Sequence, residues 1–351
     1  MKKISAILIG LIISLVSFPQ GINLPSFYSQ RELRAPLAVK NQLALIRKEI
    51  AAKNLKYQVG YTSVAEVPLE KITGFRPPSV EEQKRIVENF KPRINETGNI
   101  SGIVTDVKII GEMPWPGNPY IYGNPSQSKL DLRQAGFVTP VRDQGAWGSC
   151  WAFSAMAAYE SSYKILTKKD INTSEEYVVN CSGAGGWGGG WMSPVFEWMV
   201  NNQKNVADES AVPYTGPPMA CPPGSPEARY YAVEWGLVDP SKPINSLPSV
   251  TLMKEAICKY GAISTTLSAL ENFKLYVGGV FYSASDELNH AVVIIGWDDS
   301  IQCWLIKNSW GTGWGSECGY GTERGYMWIK YNSSNIGHFS TWVRASTIVH
   351  N

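Results

Sequence analysis

No long run of Lys or Arg occurs in this chain, and its formal net charge is only +2. Nothing therefore points to a nucleic-acid partner. Beyond the first twenty residues, no stretch is long and apolar enough for a membrane helix, which needs ~20 such residues. Internal repeats and low-complexity tracts are also missing. Histidine is scarce, with three in 351 residues, and two of these, His338 and His350, lie near the C-terminus without polar catalytic neighbours. With 44% hydrophobic residues the composition is that of an ordinary globular protein.

The N-terminus reads as a secretory signal peptide over residues 1–21. Met1-Lys2-Lys3 is a basic start, and Ile4 to Val16 is an apolar core too short to span a bilayer. An uncleaved anchor is the alternative. Residues 24–58 carry a helical pattern in which Leu43, Leu45, Ile46, Ile50 and Leu55 share a broad face. Tyr57 to Tyr61 reads as extended, and a second helix is expected from Val80 to Phe90 with Ser79 as its cap. From Lys91 to Gln127 the composition shifts to Gly, Pro, Asn and Ser, an accessible linker.

One stretch organises the rest: Gln144-Gly145-Ala146-Trp147-Gly148-Ser149-Cys150-Trp151. A glycine-bearing loop runs into an apolar helix (Trp151 to about Leu166), and Cys150 sits at the junction. A thiol there meets unpaired N–H groups and the positive end of the helix dipole, which favour thiolate. A lone cysteine in an exported chain is more often structural. Here, however, a base and an orienting group follow, His290 in Asn289-His290-Ala291 and Asn308 in Lys307-Asn308-Ser309-Trp310-Gly311. Between Cys150 and His290 lies a glycine segment, Gly186-Trp187-Gly188-Gly189-Gly190.

These four segments, in this order, resemble the papain-like cysteine peptidases over roughly residues 126 to 345. The resemblance implies an α+β, two-lobed papain-like fold, with a helical lobe and an antiparallel β-barrel-like lobe. It makes residues 22–125 a partly helical inhibitory prosegment with its linker and residues 126–351 the peptidase domain. An independent N-terminal binding domain is the alternative for the former. Charge favours the prosegment: residues 22–125 carry 14 Lys and Arg against 10 Asp and Glu, whereas residues 126–351 carry 16 against 20. Opposite signs suit an intramolecular lid.

The resemblance also assigns roles. Cys150 is the nucleophile and His290 the base, Asn308 orients the imidazole, and Trp310 shields that bond. The Gln144 side chain and the Cys150 N–H face the oxyanion. Gly189 and Gly190 would pair with an extended substrate backbone, since glycine permits close approach. Met192 and Leu288 would face an apolar pocket for the second residue before the scissile bond. A disulfide between Cys181 and Cys221 is implied within the helical lobe, while the pairing of Cys258, Cys303 and Cys318 stays open, a Cys303–Cys318 bridge included. A second disulfide common in the family has lost both ends, which are Trp147 and Trp187 here, and the two rings are candidates to fill its place.

Short β-branched and aromatic runs at 262–267, 291–295, 304–307 and 326–331 read as strands, and Gly311 to Gly325 as a glycine-laden hairpin region. The expectation is an exported or periplasmic cysteine endopeptidase, in a lysosome-like compartment if the host is eukaryotic. It is made as a precursor, acts on polypeptides as a monomer, and needs no metal or organic cofactor. The rivals are a non-catalytic peptide-binding scaffold on the same fold and acyl transfer to an amine instead of water.

Overall fold

The computed structural model describes residues 24–90, 122–201, 204–216, 220–223 and 230–346. The expected signal peptide and most of the linker lie outside these residues.

The N-terminal segment contains helices α1 (Ser26–Leu33), α2 (Leu37–Ala52), α3 (Leu69–Ile72) and α4 (Val80–Phe90), with strand β1 (Lys56–Val59) after α2. The helical pattern at 24–58 is thus two helices, because Pro36 stands at the start of α2 and cannot continue α1. Arg47 of α2 holds Glu32 of α1 through two hydrogen bonds of 2.6 Å, and it also donates to the Val59 carbonyl. One side chain thereby fixes both helices and the strand. At α4, Ser79 accepts from the Glu82 N–H, as its capping position predicts.

The helical lobe is built on α5 (Cys150–Thr167), followed by α6 (Glu175–Cys181), the two-residue strands β3 (Gly185–Gly186) and β4 (Gly189–Gly190), and α7 (Ser193–Val200). Nearly every residue of α5 is buried. A helix that is apolar on all sides must be enclosed, and α5 is covered by α6 and α7 and by the sheet of the other lobe. Cys181 and Cys221 form a disulfide in this lobe.

The second lobe holds β2 (Lys129–Asp131), β5 (Ala232–Leu237), α8 (Val250–Tyr260), β6 (Ile263–Leu267), α9 (Glu271–Lys274), β7 (Tyr276–Phe281), β8 (His290–Asp298), β9 (Cys303–Lys307), β10 (Tyr326–Lys330) and β11 (His338–Ala345). The sheet order is β1-β7-β10-β9-β8-β6-β11-β5, with β2 added on β8. Pairings are antiparallel except β7 with β10. Every residue of β8 is buried, as expected of a strand covered on both faces. The N-terminal segment completes this sheet at its edge through β1 on β7. Gly311 to Gly325 is a loop of turns closed by a Ser316–Tyr326 bridge, without hairpin strands. Cys258, Cys303 and Cys318 are free thiols, so the Cys303–Cys318 bridge left open above is not formed.

Candidate active site

The first residue of α5 is Cys150, the first residue of β8 is His290, and Asn308 follows the end of β9. Helix and sheet pack directly on one another, so the lobes bring these three to one cleft. The Asn308 Oδ1 lies 2.8 Å from His290 Nε2 and also accepts from the Ser309 N–H. An amide oxygen can only accept, so Nε2 carries the proton and Nδ1 keeps a free lone pair. Among the described residues Nδ1 has no hydrogen-bond partner. The Trp310 ring lies 4.6 Å from the imidazole, centroid to centroid, and is itself backed by Phe273 and Trp314. Fully buried, it keeps water from the His290–Asn308 bond.

Gln144 is held from three directions. Its N–H donates to the Ser309 carbonyl, its Oε1 accepts from Ser309 Oγ at 2.6 Å, and its Nε2 donates to the Trp147 carbonyl at 2.5 Å. The loop before Cys150 is thereby stitched to the segment that carries Asn308. Behind that segment, buried Lys307 donates to Thr139, and burial brings its ammonium down to about 8.

The cleft is filled by the chain itself. From Ile72 at the end of α3, residues 73–76 run across it in extended form toward α4. Gly190 donates to the Gly74 carbonyl at 2.9 Å, Arg76 donates back to the Gly190 carbonyl, and Phe75 donates to the Asn289 carbonyl. Phe75 and Gly190 form a parallel bridge. The Ile72 carbonyl accepts from both Gln144 Nε2 and Trp310 Nε1 at 3.2 Å. Gly189 approaches so closely that a Cβ there would strike the Gly74 carbonyl and Arg76.

Phe75 is 1% exposed, and its ring lies 5.0 Å from that of Phe339. Of the two expected pocket residues, Met192 is buried two positions after Gly190, and half-buried Leu288 precedes Asn289. Both flank the main-chain groups that hold Phe75. Phe339, Asn289 and Ser309 had no role in the sequence reading. Ser309 and Asn289 stood beside the catalytic motifs, whereas nothing in the sequence singled out Phe339.

The ionisation departs from the sequence expectation of a thiolate. Cys150 is 0% exposed, and burial raises its thiol to about 11 despite N–H groups from Ala291, Gly74 and Trp151. Burial likewise lowers His290 to about 4, against a smaller upward effect of Asn308. Covered by residues 72–76, the pair is therefore neutral thiol and neutral imidazole. Desolvation outweighs the helix dipole, whose effect on a charge is ordinarily about 1 kcal/mol or less.

Among solved structures, a digestive procathepsin L2 proteinase from Tenebrio molitor larval midgut superposes with a TM-score of 0.63 at 24% identity. The match covers 91% of this chain and 92% of that one. This likeness establishes the fold, including the segment before the two lobes. Cathepsin K of Gallus gallus is 34% identical over 261 residues, 70% of this chain and 73% of that protein. Cathepsin S of Bos taurus is 32% identical over 238 residues, and the chain spans 66% of it, just under two thirds. A family model for papain family cysteine proteases matches residues 126–343, more than half of the chain, and the chain belongs to that family.

Proposed function

We propose that this chain is an exported cysteine endopeptidase made as a latent precursor. In this reading residues 1–21 are removed on export, residues 22–125 form the inhibitory prosegment with its linker, and residues 126–351 are the enzyme. The observation that carries the reading is the extended run 72–76 lying over Cys150 and Gln144, with main-chain groups of Ile72, Gly74, Phe75 and Arg76 bonded to cleft residues.

The chemistry follows from the groups present. Once the cleft is open and wet, the Cys150 thiol passes its proton to His290 Nδ1, the nitrogen left free by Asn308. The thiolate adds to the scissile carbonyl, and the Gln144 amide and Cys150 N–H take the negative oxygen. Collapse breaks the C–N bond, and the His290 proton leaves with the amine. Water, deprotonated by His290, then hydrolyses the thioester and restores the thiol. Trp310 and Asn308 keep the imidazole in place throughout.

Latency has a geometric basis. Cys150 Sγ faces the Gly74 N–H, which donates to it at 3.2 Å, so no carbonyl carbon is presented for attack. The Gln144 donor is occupied by the Ile72 carbonyl. Because an aromatic ring from the prosegment fills the pocket by Phe339, a substrate with a large apolar side chain there is the expected preference. Activation is then cleavage in the segment between α4 and Pro125.

The test is to incubate purified precursor at mildly acidic pH, sequence the new N-terminus and profile cleavage of a peptide library. A new terminus between residues 91 and 126, peptide hydrolysis, and a thiol-directed epoxide on Cys150 that needs His290 are expected. Absence of hydrolysis after processing would leave the peptide-binding scaffold. Products extended by an added amine, with no free acid, would leave acyl transfer.

A further inference from the structure

The residue before the nucleophile has an unusual engagement. Ser149 is the N-cap of α5, yet its side chain caps nothing, although a serine there normally accepts from the first turn. Its Oγ instead lies 2.7 Å from the hydroxyl of Tyr214, which in turn donates to the main-chain carbonyl of Gln144 at 3.0 Å. The direction is fixed by the inventory of protons. A carbonyl only accepts, so the single Tyr214 proton points to Gln144, and Ser149 must donate to the Tyr214 oxygen.

The two ends of this relay are Gln144, which carries the side-chain oxyanion donor, and Ser149, which precedes the main-chain donor at Cys150. Every other main-chain and acceptor group of Gln144 is already committed to Ser309. Its carbonyl therefore relies on Tyr214. Ser149 and Gln144 are both fully buried, so neither end finds a substitute partner in bulk water.

Tyr214 is itself rigidly held. Its N–H donates to Glu209 Oε1, and the two N–H groups that follow donate to Glu176 Oε2. Its ring meets Phe153 of α5 edge-on at 4.9 Å, and Trp187 lies 5.6 Å away on the glycine segment. Burial raises its phenol well above the ordinary range, so the donor stays protonated at any working pH.

We propose that Tyr214 is a positioning residue for the oxyanion site, setting the spacing of the Gln144 and Cys150 donors through Gln144 O and Ser149 Oγ. The inference rests on the peptidase reading above and deepens it. A displacement of well under 1 Å at such donors is costly, since preorganised geometry carries much of catalysis.

Full-length chains are expressed with Tyr214→Phe, Ser149→Ala, Gln144→Ala and the pair Tyr214→Phe/Gln144→Ala. All are processed with pepsin, which is then inactivated at neutral pH, and all are titrated with an active-site epoxide. Tyr214→Phe keeps the ring packing and should lower kcat about tenfold, with KM and the rate of Cys150 alkylation by iodoacetamide within about twofold. On the Gln144→Ala background, where the side-chain donor is gone, the same change should cost less than about twofold. Ser149→Ala should give a smaller loss of the same pattern, and it supplies the comparison if Tyr214→Phe fails to fold. Equal losses on both backgrounds, or a loss carried by KM or by alkylation, would show that Tyr214 only supports the lobe. If Gln144→Ala alone left kcat intact, the oxyanion assignment itself would fail.

Discussion

The N–H of Gly74 points at the Sγ of Cys150 from 3.2 Å. The contact requires a residue without a side chain, because a Cβ on Gly74 would run into the main chain of Gly148. The position of a Cβ is fixed by its own main chain and the atoms it meets are backbone, so no rotamer change can relieve it. Gly74→Val should therefore lift residues 72–76 from the cleft while leaving β1 and the α1–α2 anchor on the sheet. The unprocessed precursor, with cleavage blocked by a protease-resistant linker, should hydrolyse a small peptide substrate that the parent precursor ignores. A Gly74→Val precursor that stayed latent would show that occlusion does not depend on this approach.

His290 gives latency a pH dependence with a definite sign. Its ordinary value is 6.5, and in the covered site burial lowers it to about 4. The open site binds the proton more readily, so covering is favoured fully above 6.5 and loses ground as pH falls toward 4. The hold of the prosegment should weaken by up to roughly tenfold per pH unit across that window. Cys150, raised from 9.0 to about 11, acts in the opposite direction and weakens the covered state only above pH 9. The check is the inhibition constant of a separate 22–90 peptide against processed enzyme from pH 4 to 7. A constant that stayed flat, or tightened on acidification, would contradict the linkage.

Roles within the site should be graded. Cys150→Ala removes the nucleophile and should abolish turnover without loss of fold, since Ala occupies the same helix position with no cavity larger than a sulfur. His290→Ala should be nearly as severe. Asn308→Ala should cost less, on the order of 10²-fold in kcat, because Asn308 orients the base without transferring the proton. Circular dichroism and active-site titration control for folding. Equal damage from Asn308→Ala and His290→Ala, with fold retained, would remove the distinction.

That Cys150, His290 and Asn308 meet at one cleft was legible because each sits beside a local signal. Cys150 marks a loop-to-helix junction, and His290 and Asn308 bracket strands whose β-branched runs are plain in sequence. The path of residues 72–76 was not legible. Ile72, Gly74, Phe75 and Arg76 hold the cleft through main-chain N–H and C=O groups, and these leave no trace in residue type. The ionisation of Cys150 was misjudged for the same reason: the helix N-terminus is visible in sequence, but the strand that desolvates it is not. Tyr214 escaped notice because its partners, Gln144 and Ser149, are 70 and 65 residues away. The contact of β1 with β7, set by a strand pairing across more than 200 positions, was equally hidden although the extended piece itself was read.

Trp147 and Trp187 meet edge to face, with centroids 5.7 Å apart, where the family's second disulfide would lie. Their segments are also joined by a hydrogen bond from the Gly148 N–H to the Trp187 carbonyl at 2.8 Å. The two rings are not equivalent. Trp147 is 37% exposed, whereas Trp187 is more enclosed, donates to Asn180 Oδ1 and rests against Tyr214. Emptying a fully buried aromatic site costs ~3–5 kcal/mol, and neither tryptophan reaches that limit. Trp187→Ala should destabilise the lobe by about 3 kcal/mol and Trp147→Ala by about half that, since less surface returns to water. In denaturant titrations the double mutant should fall short of the sum by ~0.5–1.5 kcal/mol, the coupling of an aromatic pair. Strict additivity would mean that the rings merely adjoin. Trp147→Cys with Trp187→Cys should oxidise to a bridge, because the backbone already runs side by side at these positions. A folded double-cysteine chain that kept both thiols reduced under oxidising conditions would show that the bulk of the indoles has spread the two segments beyond disulfide reach.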